Sequence, residues 1–170
     1  MARLSHKRGV EEKGQMAARS TDAYLPKEGM EVCWCKKCGI VYRQKRWIMD
    51  PVELEQVKAD PAAGTMLCPA CQRMRDNVPG GIVTFSGEYM QKHEEEILEL
   101  IKNIEEKSRN KNPLGRIMEI RQEGNELTVS TTEDKLAQKL GRDIFRSHKG
   151  DLHFKWSEGE NFVRVDWKRD

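Results

Sequence analysis

Long apolar runs are missing from this chain. No segment approaches the length of a membrane span, and the N-terminus has no apolar stretch of the kind a secretory leader needs. Aromatic residues are scarce at 6%, and hydrophobic residues reach 37% against 34% charged. So thin an apolar stock in 170 residues argues against one large core and for one or two small domains. A strong charge of either sign is also missing: the formal net charge is +2, which excludes a uniformly basic coat for nucleic acid. There is no P-loop, no dinucleotide fingerprint and no nucleophile–base arrangement. Enzyme chemistry on a small-molecule substrate is therefore not expected. Internal repeats and low-complexity tracts are lacking as well. The five cysteines are an odd number, so a disulfide framework would leave one unpaired. Together with the missing leader, this points to reduced thiols in a cytoplasmic protein.

What the chain does have is two cysteine hooks. Cys35-Lys36-Lys37-Cys38-Gly39 comes first, and Cys68-Pro69-Ala70-Cys71 follows after 29 intervening residues. A two-residue spacer lets one turn offer two sulfurs to one ion, and zinc favours four such ligands in a tetrahedron. The gap exceeds the usual ribbon spacing of about 15–20 residues, which leaves room for an inserted loop or short helix. Cys33, Cys35 and Cys38 compete for the first hook. The two-residue spacer favours Cys35 with Cys38 and leaves Cys33 spare. A redox dithiol is the competing reading, but such motifs usually occur singly, at a helix start near a βαβ unit. A catalytic ion would need an open position and a nearby acid or base, and neither occurs near the hooks.

The expected architecture is α+β, with an N-terminal four-cysteine zinc ribbon, a linking amphipathic helix and a C-terminal ββαββ domain. Residues 1–30 read as a disordered, mixed-charge arm. Residues 31–87 form the zinc module: a strand leaves the first hook at 40–42, a short helix fills 51–59, and a strand at 82–85 closes the ribbon. Residues 88–112 form the linking helix, with Met90, His93, Ile97, Leu100, Ile101 and Ile104 on one stripe. His93 on that stripe reads as a core or hinge residue, and Glu94 to Glu96 as a solvated face. In 113–170, strands are expected at 116–122, 126–130, 151–156 and 162–167. They flank a helix over 133–147 that Thr131 caps.

Charge is unevenly spread. Residues 32–87 carry eight Lys or Arg against five Asp or Glu, whereas 113–170 balance at eleven each. The stretch Tyr42-Arg43-Gln44-Lys45-Arg46-Trp47 mixes aromatics that stack on unpaired bases with cations that hold phosphates. Tyr42, Arg43, Lys45, Arg46 and Trp47 are therefore candidate RNA contacts, with Arg73 and Arg75 beside the second hook extending the same face. Packing of Tyr42 and Trp47 inward, on a solvated ribbon edge, is the plain alternative.

Several segments carry a family resemblance. They are Cys68-Pro69-Ala70-Cys71-Gln72-Arg73, Pro79-Gly80-Gly81-Ile82-Val83, the helix from 90 to 104, Pro113-Leu114-Gly115-Arg116-Ile117, Thr131-Thr132-Glu133-Asp134-Lys135-Leu136-Ala137 and Val163-Arg164-Val165-Asp166-Trp167. Over roughly residues 31–168 the chain resembles the short bacterial and archaeal relatives of the large-ribosomal-subunit export adaptor named after nonsense-mediated mRNA decay. The hooks themselves read as one structural zinc on Cys35, Cys38, Cys68 and Cys71, and the resemblance implies a zinc-bearing region that docks on the ribosome, through rRNA or the large subunit. The role would lie in assembly, stability or hibernation of ribosomes. The chain has one pair of hooks where the adaptor carries more, and nuclear export is not implied. A zinc-ribbon adaptor for transcription or other nucleic acid is the first alternative. A thiol or zinc redox switch using Cys33 is the second.

Overall fold

The computed structural model describes residues 10–12, 24–27, 29–157 and 162–170. Most of the arm expected over 1–30 lies outside the described residues, as does most of the turn expected at 157–161. The chain is α+β, and its described residues build two sheets.

The smaller sheet holds β2 (Cys33–Cys35), β3 (Val41–Arg43), β4 (Arg46–Ile48) and β5 (Gly64–Met66), in the order β4-β3-β2-β5. Its β3–β4 hairpin turns through Gln44 and Lys45, both at positive φ (53° and 61°), as the tight two-residue turn that suits twisted strands requires. Helix α1 (Pro51–Ala59) fills the insertion between the hooks. It starts where Asp50 accepts from the amides of Val52 and Glu53, and Pro51 sits in its first turn, where a missing amide costs nothing. Helix α2 (Pro69–Asp76) follows and ends at Asn77 in the left-handed conformation.

The larger sheet has six strands: β1 (Val10–Glu12), β6 (Gly81–Ser86), β7 (Ile117–Glu123), β8 (Glu126–Thr131), β9 (Asp151–Trp156) and β10 (Val163–Lys168). Their order is β1-β9-β10-β6-β8-β7. The strand expected at 82–85 exists, but it does not close the ribbon. As β6 it lies between β8 and β10, antiparallel to the first and parallel to the second. The reason is its inner face: Val83 and Phe85 are fully buried in the core that β8, β10 and the C-terminal helix share. The ββαββ order is present, and β6 makes its sheet mixed rather than antiparallel. Within the expected arm, Val10–Glu12 pairs in parallel with the outer edge of β9.

Three helices belong to this unit: α3 (Glu88–Lys92), α4 (Glu94–Lys111) and α5 (Asp134–His148). The single linking helix expected here is broken at His93, whose φ of −120° and ψ of 23° leave the helical region. His93 stacks on Tyr89 with ring centres 4.0 Å apart, the hinge position its place on the stripe suggested. Thr131 does not cap α5. It ends β8, fully buried, and donates to the Glu133 carbonyl, while Glu133 occupies the cap position.

Helix α5 buries Leu136, Ala137, Leu140 and Ile144 against the sheet, beside Ile97, Ile101 and Ile104 of α4. Trp167 closes the layer: it is fully buried, packs edge-on against Phe85 and donates its indole N–H to the Lys149 carbonyl. The helix approaches closely because Gly141 has no side chain. A Cβ there would stand 2.5 Å from Val165 Cγ1 and 3.1 Å from Leu152 Cδ1. Gly→Ala within a helix ordinarily stabilises by about 1 kcal/mol. Here Gly141→Ala is expected to destabilise by about 1–3 kcal/mol, because the packed layer must open. Urea unfolding measures the sign, and a stabilised variant would contradict this packing.

Candidate metal centre

The first hook is a tight turn. Cys35 N–H donates to the Ile40 carbonyl and Gly39 N–H to the Cys35 carbonyl, both at 2.9 Å. Gly39 sits at φ +78°, a conformation other residues adopt only with strain. The second hook opens α2. Cys68 occupies the N-cap position and its Sγ accepts from the Cys71 amide at 3.3 Å. Cys35 Sγ accepts from the Cys68 amide at 3.2 Å, which ties one hook to the other.

Cys35, Cys38, Cys68 and Cys71 converge so that their sulfurs lie within 4.8 Å of one another. Cys35 Sγ is 3.7 Å from Cys71 Sγ, and Cys38 Sγ is 3.7 Å from Cys68 Sγ. A tetrahedron of sulfurs about 2.3 Å from a central ion has edges of about 3.8 Å. The four cysteines are therefore positioned to hold one metal ion. Three of them are buried and Cys38 is partly so.

A fifth group completes the site, and it comes from far along the chain. Arg116, 5% exposed, points its guanidinium into the sulfur cluster. One terminal nitrogen donates to Cys38 Sγ at 3.0 Å and reaches Cys68 Sγ at 3.7 Å, and the other donates to Cys71 Sγ at 3.4 Å. Its Nε donates to the Pro113 carbonyl at 3.0 Å. The loop that carries it is pinned on both sides. Arg116 N–H donates to Thr132 Oγ1, which donates to the Leu114 carbonyl, and Asn112 donates to Glu133. Leu114 packs against the cysteine cluster.

The electrostatics follow from this contact. The Cys38–Cys68 pair shares a proton: a hydrogen bond from Cys68 pulls Cys38 down to about 4, against the opposing effect of burial. The Ile40 amide and Arg116 add to that pull. Cys68 is correspondingly raised, first by its bond to Cys38 and then by burial. Burial works against the charge on Arg116, but the bond to Cys38 and the neighbouring sulfurs outweigh it and raise its pKa. Cys33 is outside the cluster. Its thiol is pushed up to about 11, first by burial and then by Cys35.

The seven candidate RNA residues are divided by the structure. Tyr42 and Trp47 pair across β3–β4 with ring centres 5.2 Å apart, and Trp47 is buried with no partner for its indole N–H among the described residues. Arg43 stands directly opposite Arg46, a like-charge pairing that costs stability, and Glu53 takes up Arg43 at 2.7 Å. Lys45 and Arg46 are exposed at the hairpin tip. Arg73 does not extend that face: it is 6% exposed, lies over the Tyr24 ring and donates to the Val78 carbonyl. Arg75 is exposed and paired with Asp76 at 2.8 Å.

Arg116 was the residue that sequence reasoning did not reach. Its place in Pro113-Leu114-Gly115-Arg116 was visible only as part of a resembling segment, and nothing local marks a loop arginine as a partner of sulfur. A scan against protein-family models gives no match for this chain, and no curated protein matches it. No helix among the described residues is long and apolar enough to cross a membrane.

Two outcomes are expected. Arg116→Lys replaces a planar fork by a point charge and should weaken metal retention about 10- to 100-fold, the usual cost of losing a group that supports a ligand. Chelator competition measures this, and an unchanged midpoint would make the fork incidental. Cys33 supplies a pH dependence. Between about pH 9 and pH 11 the unfolded chain loses this proton while the folded chain keeps it, so stability falls as pH rises through that window. Cys33→Ala lacks this component. Unfolding of both proteins across the window should therefore show the parent losing stability relative to the variant, and a constant difference would refute the assignment.

Proposed function

We propose that this protein is a non-enzymatic, cytoplasmic, zinc-stabilised factor that associates with the ribosome and contacts the large subunit or its rRNA. The observation that carries the reading is the closed sulfur site. Four thiolates can occupy every corner around one ion, and Arg116 lies against three of them. Such a centre has no open position for substrate, so its contribution is shape and folding energy. Zinc is the ion that four thiolates at this spacing suit, and it asks for no redox chemistry. A protein built this way acts through its surface. The exposed Lys45 and Arg46, the neighbouring Arg43 and the resemblance to ribosome-docking adaptors all favour an RNA-bearing partner.

The thiol-switch reading has less support. Cys33 is buried, and its raised pKa leaves little reactive thiolate. A generic transcription adaptor would bind bare duplex DNA without preferring ribosomes.

The test is sedimentation of the tagged protein through sucrose gradients, from growing and from stationary cells, at low and moderate salt, with zinc measured in the same fractions. Co-migration with the large subunit or the intact ribosome, with one zinc per chain, is expected. Protein that stays at the top of every gradient would remove the ribosomal reading, and a different metal at full occupancy would remove zinc.

A further inference from the structure

Helix α5 carries a second feature, unconnected with the sulfur cluster. Lys135, Lys139, Arg142 and Arg146 follow one another at intervals of four, three and four, and all four are exposed; Lys149, also exposed, lies just past the helix end at φ 60°. That spacing places the four helical cations on one face, in a line about 17 Å long at 1.5 Å per residue. The opposite face is buried in the core.

Helix stability does not account for this line. The helix dipole favours cations near the C-terminus, which covers Arg146 and Lys149, whose ammonium bonds the Arg146 carbonyl. It disfavours them in the first turn, where Lys135 stands. No described carboxylate pairs with Lys135, and one alone stands within the line. Asp143, the one acidic residue within the line, serves both Lys139 at 3.2 Å and Arg146 at 3.6 Å. Lys135 has no ion-pair partner among the described residues. The exposed face of α4 is different in kind: Glu95, Glu99, Lys102, Glu106 and Lys107 mix the two signs. Lys107 joins Lys139 and Arg146 around a shallow groove of about 250 Å³ between α4 and α5, with Leu100 and Asn103 also lining it.

We propose that the α5 line, with Lys107, is a docking surface for the phosphate backbone of double-helical RNA. The proposal rests on the RNA-associated reading above and names a contact separate from the β3–β4 hairpin. A straight row of cations on a rigid rod matches a regular row of phosphates, which is read by position and not by sequence. Among the described residues no exposed aromatic ring stands on this face to stack an unpaired base. Phe154, beneath Arg142, is buried. Single-stranded RNA is therefore a poorer fit. An anionic membrane fits poorly too, because such helices insert apolar side chains beside their cations. The large exposed apolar residues, Leu25, Met49, Val52 and Val78, all lie outside α5.

The experiment uses the full zinc-loaded chain and a fluorescently labelled RNA duplex of about two turns, titrated across a salt series. The triple variant Lys135→Gln/Lys139→Gln/Arg146→Gln is expected to lower the slope of log affinity against log salt by about three, roughly one per lost phosphate contact, and to weaken binding about tenfold or more. Lys135→Gln alone, at an exposed residue with no ion pair among the described residues, keeps the test valid should the triple variant misfold, and should lower the slope by about one. An unchanged slope in a folded, zinc-replete variant would overturn the proposal. So would duplex binding whose whole salt dependence vanishes with Arg43, Lys45 and Arg46. Capture by phosphatidylserine vesicles with no duplex binding would overturn it in favour of a lipid surface. If the parent and the α5 variant sediment equally with ribosomes, the α5 surface fails and the ribosomal reading stands. If the parent sediments with nothing and binds no duplex, both fail.

Discussion

The contact between the Arg116 guanidinium and the cysteine sulfurs is the constraint on which the rest of the molecule depends. Neither side of it is tolerable alone. A guanidinium 5% exposed, and sulfurs that must ionise to hold a metal, would each carry a large desolvation cost. Four thiolates around a divalent ion remain a net dianion, and a forked cation answers that charge in two directions at once. Because Arg116 leads directly into β7 of the large sheet while the cysteines belong to the unit built on the small one, this partial compensation of charge also ties the two sheets to each other. The pinned loop from Asn112 to Arg116 lets that fixing be stiff.

The two sheets are stabilised by different means. The large one has a conventional apolar layer, in which α4 and α5 cover Val83, Phe85, Leu127, Val129, Val163, Val165 and Trp167. The small one has almost none. Its buried cluster consists mostly of cysteines, supplemented by Ile40, Ala70 and Trp47. A unit that size cannot bury enough apolar surface to offset the ordering of its chain, and an ion held by the four cysteines would make up the difference. The sparse apolar composition is thus concentrated where a layered core can use it, and four cysteines serve where it is absent.

How much of this was legible follows from how local each signal is. The hooks, α1, α5, β9 and β10 were readable because spacers, caps and alternation act within a few residues. Val52, Leu54 and Val57, bounded by Pro51 and Pro61, outline a short helix locally, and Leu152, Phe154, Val163 and Val165 alternate as any half-buried strand does. The partner of β6 was not readable. Its own pattern fits either sheet, and only the faces of β8 and β10, some 45 and 80 residues further on in the sequence, select between them. Arg73 illustrates the reverse error: beside a hook it reads as a surface cation, yet the Val78 carbonyl and the Tyr24 ring hold it inside. The line on α5 has a plain spacing of three and four. An overall balance of charge in the C-terminal third concealed it, since net charge carries no information about faces.

The placement of β6 also has a consequence in time. As the chain leaves the ribosome that makes it, both hooks are complete once Cys71 has emerged, so the four cysteines could gather around an ion early. β6 follows at once, but it is a central strand with neither neighbour yet made. β8 arrives about forty residues later, and β10 only with the last residues of the sequence. Pairings at that separation form slowly, because the closing of the intervening chain precedes any gain from contact. Val83 and Phe85 must therefore wait, exposed, beside a sulfur cluster that is already organised and still lacks Arg116. Maturation of the metal centre and burial of the strand that follows it become successive events, ordered by nothing more than where the residues fall along the chain.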